Sequence, residues 1–356
     1  MALLIETPSG TGRKTAAGMR AKGAYDTLIL MTISRWQNDL RETIRDPGVL
    51  LETVALTDNA PTLAQRALHQ FPLRVPPAFA AAITADDPGD PLLRQVLPVA
   101  AEDAAVPGFS ADPLGEYRRQ PAPGLLYKYP GRILLVVTGA CAIHCRYCFR
   151  RHFPYADSNP VREDWRAALD VIRSDKTISE VILSGGDPLT LSDDALAHLV
   201  DLLQAVPHLQ RLRIHSRMPV VVPARVTPAL LALPARTRLQ TVVVIHANHA
   251  REIGEDAGRA LAALRGTGLT LLNQSVLLKG VNDDAGVLAD LSERLFAAGV
   301  LPYYLHMLDP VAGAAHFRVD EARARSIMGE LRTRLPGYLV PRLVREEEGE
   351  LSKTPL

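Results

Sequence analysis

The sequence predicts an α/β fold: a partial (β/α)6 barrel with an N-terminal helical layer and a short C-terminal tail. Helical patterns alternate with six short apolar runs of the β type, which begin near Ile133, Val181, Leu212, Thr241, Thr270 and Val300. From the second run onward the repeat is about 30 residues, the length of one βα unit. The runs are apolar throughout, which is typical of parallel strands buried on both faces.

The remaining sequence differs in composition from this repeating part. Before it, Trp36, Leu40 and Ile44 recur at helical spacing, and a connector rich in Pro, Asp and Gly follows. The expected parts are a disordered tail or misassigned start, the helical layer with its connector, the barrel and the tail, at residues 1–30, 31–115, 116–340 and 341–356.

The composition excludes several classes of protein. Forty basic residues against 39 acidic ones leave a net charge of +1, which argues against a protein that binds nucleic acid or an anionic membrane surface. No apolar run reaches the roughly 18 residues that a membrane-spanning helix needs. The first residues also lack the apolar core of a secretory signal. We therefore expect a cytoplasmic protein.

All three cysteines lie on one loop after the first apolar run, as Cys141, Cys145 and Cys148. In barrels of this kind, functional residues collect at the carboxyl ends of the strands. Three thiolates on one short loop indicate a metal centre, and their softness allows two kinds. One is a structural zinc site with His152 as its fourth ligand. The other is a [4Fe–4S] cluster in which one iron has no protein ligand.

The cysteine spacing, C-x3-C-x2-C, resembles that of the radical S-adenosylmethionine enzymes. Their aromatic residue before the last cysteine is matched by Tyr147, and their Gly-rich turn after the second strand by Ser184-Gly185-Gly186-Asp187. The resemblance implies that the open iron binds S-adenosylmethionine and that reduction releases a 5′-deoxyadenosyl radical. It also implies that Tyr147 lies against the adenine and that the turn meets the methionine amino group.

Further segments are similar to the lysine 2,3-aminomutase family, and they occur in the same order. They are Tyr129-Pro-Gly-Arg132, Cys148-Phe-Arg150-Arg151, Asn273-Gln274-Ser275 and Ser352-Lys353-Thr354-Pro355. Two more, Arg150-Arg-His-Phe-Pro154 and Gly313-Ala-Ala-His-Phe317, resemble the members that make (R)-β-lysine for modification of elongation factor P. The resemblance implies an isomerase that moves the α-amino group of lysine to the β-carbon with the help of pyridoxal 5′-phosphate.

The resemblance also implies roles for the residues that match. Among the six lysines of the chain, Lys353 would form the Schiff base with pyridoxal phosphate. Arg132 would bind the phosphate end of that cofactor, with Tyr129 nearby. Gln274 would lie near S-adenosylmethionine.

Three residues are implied in substrate binding. Arg150 would bind the lysine carboxylate, which a guanidinium does in a bidentate manner. Asp309 would bind the ε-ammonium group, and Glu346 occupies the place of a second acid. Glu346 begins a run of three acids, which is equally typical of a solvated face. We expect the neighbouring Arg151 to be a surface cation.

These observations lead to one hypothesis and two alternatives. The hypothesis is an L-lysine 2,3-aminomutase that needs an external electron donor and has a functional link to the ligase that modifies elongation factor P. The first alternative is an aminomutase of the same kind for arginine or glutamate. The second is a zinc protein that uses the three cysteines and a histidine.

Overall fold

A single nine-stranded sheet forms the centre of the computed structural model, which describes residues 34–155 and 165–356. The expectation for residues 1–30 lies outside the described residues. The order of the strands in the sheet follows the chain. The strands are β1 (Leu125–Tyr129), β2 (Arg132–Thr138), β3 (Glu180–Gly185), β4 (Arg211–Ser216), β5 (Gln240–His246), β6 (Thr270–Val276), β7 (Leu301–His306), β8 (Arg342–Arg345) and β9 (Thr354–Pro355).

The strands from β2 to β8 are parallel, and each edge of the sheet ends in an antiparallel pair. Helices follow the parallel strands: α6 (Arg166–Ser174), α7 (Asp193–Gln204), α8 (Met218–Val221), α9 (Pro228–Arg236), α10 (Glu255–Gly266), α11 (Ala285–Ala297) and α12 (Glu321–Arg334). The predicted α/β partial barrel is confirmed, and its six runs are β2 to β7. The sequence did not predict β1, β8 or β9.

Local sequence explains where these elements begin and end. In β3 all side chains from Glu180 to Ser184 are buried, because the strand lies between neighbours and beneath helices. Helix α11 begins after Asp284, whose carboxylate accepts hydrogen bonds from two N–H groups of the first turn. The turn after α11 contains Gly299, whose φ of 82° lies in the left-handed region that favours glycine. Within the described ranges, no helix has the length and apolar character that crossing a membrane requires.

A layer of short helices precedes the sheet: α1 (Arg35–Arg41), α2 (Pro47–Thr53), α3 (Gln65–Gln70), α4 (Pro77–Ala80) and α5 (Pro91–Arg94). Its apolar side chains share one hydrophobic cluster with the barrel, so that Trp36 and Leu93 belong to the same core as Ile133. The layer is therefore part of the same packed unit as the sheet.

A buried acid joins this layer to the cysteine loop. Glu102 receives hydrogen bonds from Arg146 Nε and Nη2, the shortest at 2.6 Å, and from Arg151 Nη2 at 2.7 Å. The side chains of Glu102 and Arg146 have no exposed surface. The expectation that Arg151 is a surface cation is wrong: the residue is 7% exposed, because Glu102 compensates its charge. The connector thus fixes both sides of the cysteine loop.

We expect Glu102→Gln to lower the free energy of unfolding by about 3–5 kcal/mol, because one neutral amide would face two buried guanidinium groups. Urea denaturation of the purified protein measures this loss. The control is Glu255→Gln, which breaks an exposed pair with Arg259 on α10 and should cost less than about 1 kcal/mol. Equal small losses in both variants would show that Glu102 does not hold the loop.

Candidate active site

A cavity of about 980 Å³ lies on the inner side of the sheet, toward the carboxyl ends of its strands. This volume is at the upper end of the range of about 300–1,000 Å³ for small-molecule sites. The residues that the sequence singled out for the cluster, the cofactors and the substrate all line it: Tyr129, Arg132, Cys141, Cys145, Tyr147, Cys148, Arg150, Ser184, Gly185, Gly186, Asp187, Gln274, Asp309, Glu346 and Lys353. The fold therefore brings them together, while their individual roles stay predictions.

The chemistry of the three thiols fits a metal cluster. Cys141, Cys145 and Cys148 are free cysteines on the loop after β2, and the N–H of Cys148 donates to the carbonyl of Cys145 at 3.0 Å in a tight turn. Burial, with Cys145 nearby, raises the pKa of the Cys148 thiol to about 11. Burial and Cys148 also raise the pKa of Cys141 well above its ordinary value. Iron would replace these retained protons and stabilise the thiolates.

The geometry disfavours the zinc alternative. In residues 34–155 and 165–356, no three side chains of His, Cys, Asp or Glu are arranged to hold one metal ion. The ring Nε2 of His152 lies 3.2 Å from the carbonyl oxygen of Ala312, and His152 does not line the cavity that the three cysteines line. In a [4Fe–4S] cluster each cysteine binds a different iron, so the three cysteine sulfurs do not need to converge on one ion.

Arg217 connects the cysteine loop to the helical layer. Its Nη1 lies 2.7 Å from Cys145 Sγ and 2.9 Å from the Tyr147 hydroxyl. Its Nη2 donates to Gln95 of the layer at 2.8 Å and to Glu252 at 2.7 Å. Arg217 is 5% exposed, so the loop contacts a fixed, buried positive charge.

The glycine turn after β3 packs directly against the start of the cysteine loop. Gly185 has a φ of 115°, and a Cβ on Gly186 would lie 2.3 Å from the carbonyl oxygen of Ala140. The carboxylate of Asp187 accepts from Ser216 Oγ and from the Arg217 N–H, both at 2.7 Å. Asp187 thus joins the turn to the end of β4, and only glycines allow the loop to come this close.

Five charged side chains form a chain of alternating sign along the cavity wall. Arg150 donates to both carboxylate oxygens of Glu116, at 2.7 and 2.8 Å. Lys128 binds Glu116 at 3.1 Å and also binds Glu346. Lys353 Nζ donates to the other oxygen of Glu346 at 2.5 Å. The predicted carboxylate-binding arginine and the predicted Schiff-base lysine are therefore joined through buried carboxylates.

The two acids predicted to bind the ε-ammonium group differ in ionisation. Burial alone would raise the pKa of Glu346, but Lys353 and Lys128 outweigh it and hold that pKa below its ordinary value. Glu346 is thus a paired carboxylate with 12% of its side chain exposed, rather than part of a solvated face. Burial raises the pKa of Asp309 to about 7, and Glu346 adds to the rise. Only one of the pair is therefore fully ionised at neutral pH.

The cavity also offers polar atoms that suit a ligand. The Arg132 guanidinium lies 4.8 Å from the centre of the Tyr129 ring, and Gln274 lines the cavity from β6. Burial and the neighbouring Glu346 raise the pKa of the Tyr129 hydroxyl. His215 Nε2 is buried and has no hydrogen-bond partner within the described part of the chain. Buried polar atoms normally have partners, so this nitrogen fits a cavity that binds a polar cofactor.

Sequence reasoning gave no role to two charged residues of this site, Glu116 and Arg217, and treated a third, Lys128, only as a plausible phosphate contact. Glu116 lies in the 3-10 turn before β1, where no chemical pattern surrounds it. Arg217 follows β4 in the segment Ser216-Arg217, and the signals available for it were its position at a strand end and the resemblance of that segment to the family.

Known proteins are similar to this chain over most of its length. The sequence profile of the Radical SAM superfamily matches residues 135–291, which include the cysteine loop and the glycine turn. The chain is 51% identical over 322 residues to L-lysine 2,3-aminomutase of Escherichia coli (strain K12), covering 90% of this chain and 94% of that protein. For the Haemophilus influenzae L-lysine 2,3-aminomutase the identity is 48%, with the same two coverages.

More distant proteins are also similar. The chain is 36% identical to L-lysine 2,3-aminomutase of Clostridium subterminale, over 90% of this chain and 77% of that protein. Among solved structures, a radical SAM methyltransferase from Sphaerobacter thermophilus gives a TM-score of 0.45 at 21% identity, over 62% of this chain and 68% of that one.

We expect Gly186→Ala to displace the cysteine loop, because the new methyl group would meet backbone rather than a movable side chain. The free energy of unfolding should fall by about 1–3 kcal/mol, and the iron and sulfide bound after anaerobic reconstitution should fall with it. Gly254→Ala is the control, since a Cβ there meets nothing within 4 Å. Full iron binding by Gly186→Ala would contradict the close approach.

Proposed function

The chain belongs to the lysine 2,3-aminomutase family of the radical S-adenosylmethionine superfamily, and on this premise we propose that it converts L-lysine to (R)-β-lysine. Members of the family are isomerases whose cofactors are a [4Fe–4S] cluster, S-adenosylmethionine and pyridoxal 5′-phosphate. When bound, these groups supply a carbon radical and a π system that spreads the unpaired electron while nitrogen moves between carbons.

One observation carries the proposal: a single cavity is lined by the cysteine loop, the glycine turn, Lys353 and the acid pair. Radical chemistry on an imine-bound amino acid requires these groups within reach of one substrate. In our proposal the three thiolates hold the cluster, and the turn at Gly185 and Gly186 binds S-adenosylmethionine with Tyr147 and Gln274. Arg132 and Tyr129 hold the cofactor that Lys353 bonds.

The chain's charges support lysine as the substrate. The Nε and Nη2 groups of Arg150 donate to Glu116, and its Nη1 lies 3.2 Å from Ser184 Oγ. The remaining N–H groups of Arg150 are our candidates for the substrate carboxylate. Asp309 and Glu346 place two acids in the same cavity. They would attract an ε-ammonium group and repel the second carboxylate of glutamate.

We also propose that the β-lysine serves the modification of elongation factor P, through the ligase that attaches it, in the cytoplasm. The support is the two subgroup segments, which meet in the fold: His152 of one lies 3.2 Å from the carbonyl oxygen of Ala312, beside the other. An external donor would supply the electron that reduces the cluster.

The proposed activity is tested with the anaerobically reconstituted protein. Incubation with lysine, S-adenosylmethionine, pyridoxal phosphate and a reductant should yield β-lysine by mass spectrometry, whereas arginine and glutamate should yield little β-amino product. Cys145→Ala should remove the activity together with the iron. Borohydride reduction and peptide mapping should place the pyridoxyl group on Lys353. A β-amino product from arginine or glutamate in preference to lysine would contradict the substrate assignment.

We expect the preference for lysine over norleucine, which lacks the ε-amino group, to rise with pH. Asp309 has its pKa near 7, so it is mostly neutral at pH 6 and mostly ionised at pH 8. The ratio of the two affinities should therefore rise roughly tenfold between these values. Absorbance titrations of the pyridoxal phosphate-loaded protein measure it. Asp309→Asn should make the affinity ratio independent of pH. A wild-type ratio that falls as the pH rises would contradict the prediction.

A further inference from the structure

Glu116 is the most enclosed member of the alternating charge chain. Its side chain is 2% exposed, and its two oxygens serve two cations: Arg150 through both oxygens and Lys128 through one. Burial alone would raise its pKa, but Arg150 and Lys128 outweigh that effect and leave the pKa below its ordinary value. Glu116 is therefore a charged carboxylate that water does not screen.

The balance of charge in the wall depends on this carboxylate. Arg150 and Lys128 supply two positive charges, and Glu116 and Glu346 supply two negative ones. These four charges cancel, so the paired cations of the wall leave no net positive charge to repel a substrate cation. Without Glu116 the four-residue set would carry one net positive charge, which would repel an ε-ammonium group in the same cavity.

We propose that Glu116 is a specificity-determining residue: because it also binds Lys128, that lysine neutralises Glu346 less completely, and the Glu346 carboxylate stays available for a cationic substrate side chain. This inference rests on the proposed function and names a residue that selects for lysine within the same site. Glu116 acts through Lys128 and Arg150, so it is a positioning residue rather than a catalytic one.

Two effects of removing Glu116 act in the same direction. Lys128 would lose one of its two carboxylates and would pair with Glu346 alone, which competes with an ε-ammonium group. The charge of the wall would also become more positive by one unit, at a short distance and in a region of low dielectric constant. Norleucine has the same carboxylate as lysine, so any effect through Arg150 alone cancels in the ratio of the two affinities.

The experiment compares lysine and norleucine by absorbance titration of the pyridoxal phosphate-loaded protein at pH 8, where Asp309 is ionised. Glu116→Gln should lower the lysine-to-norleucine affinity ratio roughly tenfold. Lys128→Met removes the competing cation and should raise it. The double variant restores the charge balance and should return the ratio close to that of the wild type. Asp193→Asn is the control, because it breaks the pair with the buried Arg225 outside the cavity and should leave the ratio unchanged.

The outcomes separate this inference from the proposed function. A wild type that shows no preference for lysine contradicts the function itself. If the wild type prefers lysine but Glu116→Gln weakens both ligands equally, Glu116 only supports Arg150 and the inference is wrong. If Glu116→Gln does not fold, Lys128→Met decides: an unchanged or lower ratio overturns the inference, as does loss of the cofactor, which would assign Lys128 to the cofactor.

Discussion

Buried charge compensation is the constraint on which this active site depends. The five charged side chains come from four segments: the turn before β1 (Glu116), β1 (Lys128), the cysteine loop (Arg150) and the tail (Glu346 and Lys353). Each is stabilised by a neighbour of opposite sign. Removing one member of a buried pair strands the other, which costs far more than losing an exposed pair. The alternation therefore positions the segments relative to one another as well as holding the charges that we propose to bind substrate.

The same principle fixes the cysteine loop from the other side. Glu102 compensates two arginines that flank Tyr147 and Cys148, and Arg217 reaches Cys145 while Gln95 and Glu252 hold it. The helical layer supplies part of this support, so it contributes to the metal site without lining the cavity through its helices. A loop held in this way can keep three thiols in position before iron binds, which reduces the reorganisation that binding would require.

Some of this could be predicted from sequence, and the reasons for the rest are physical. The six strands were evident from their apolar residues, and the cysteine loop because its spacing is rare by chance. The expectation of burial on both faces is confirmed for β3 but is wrong for β4 and β6, where buried and partly exposed residues alternate because one face lines the cavity. Strands β8 and β9 are too short to show a period. The burial of Arg151 and the role of Glu116 depend on partners far away in the sequence, which composition cannot reveal. A charged residue looks solvent-exposed until its counterion is located.

The strand order has a consequence for biosynthesis. The three cysteines precede most of the sheet, so they are translated long before Lys353 and β9. During this interval the nascent chain contains the cysteine loop but not the later strands of the barrel. The contact between Glu102 and Arg146 can form as soon as the cysteine loop has been translated, since Glu102 precedes the loop. The contact between Arg217 and Cys145 cannot form until β4 has been completed. The loop can therefore be held by its N-terminal contacts before its contacts with the barrel exist.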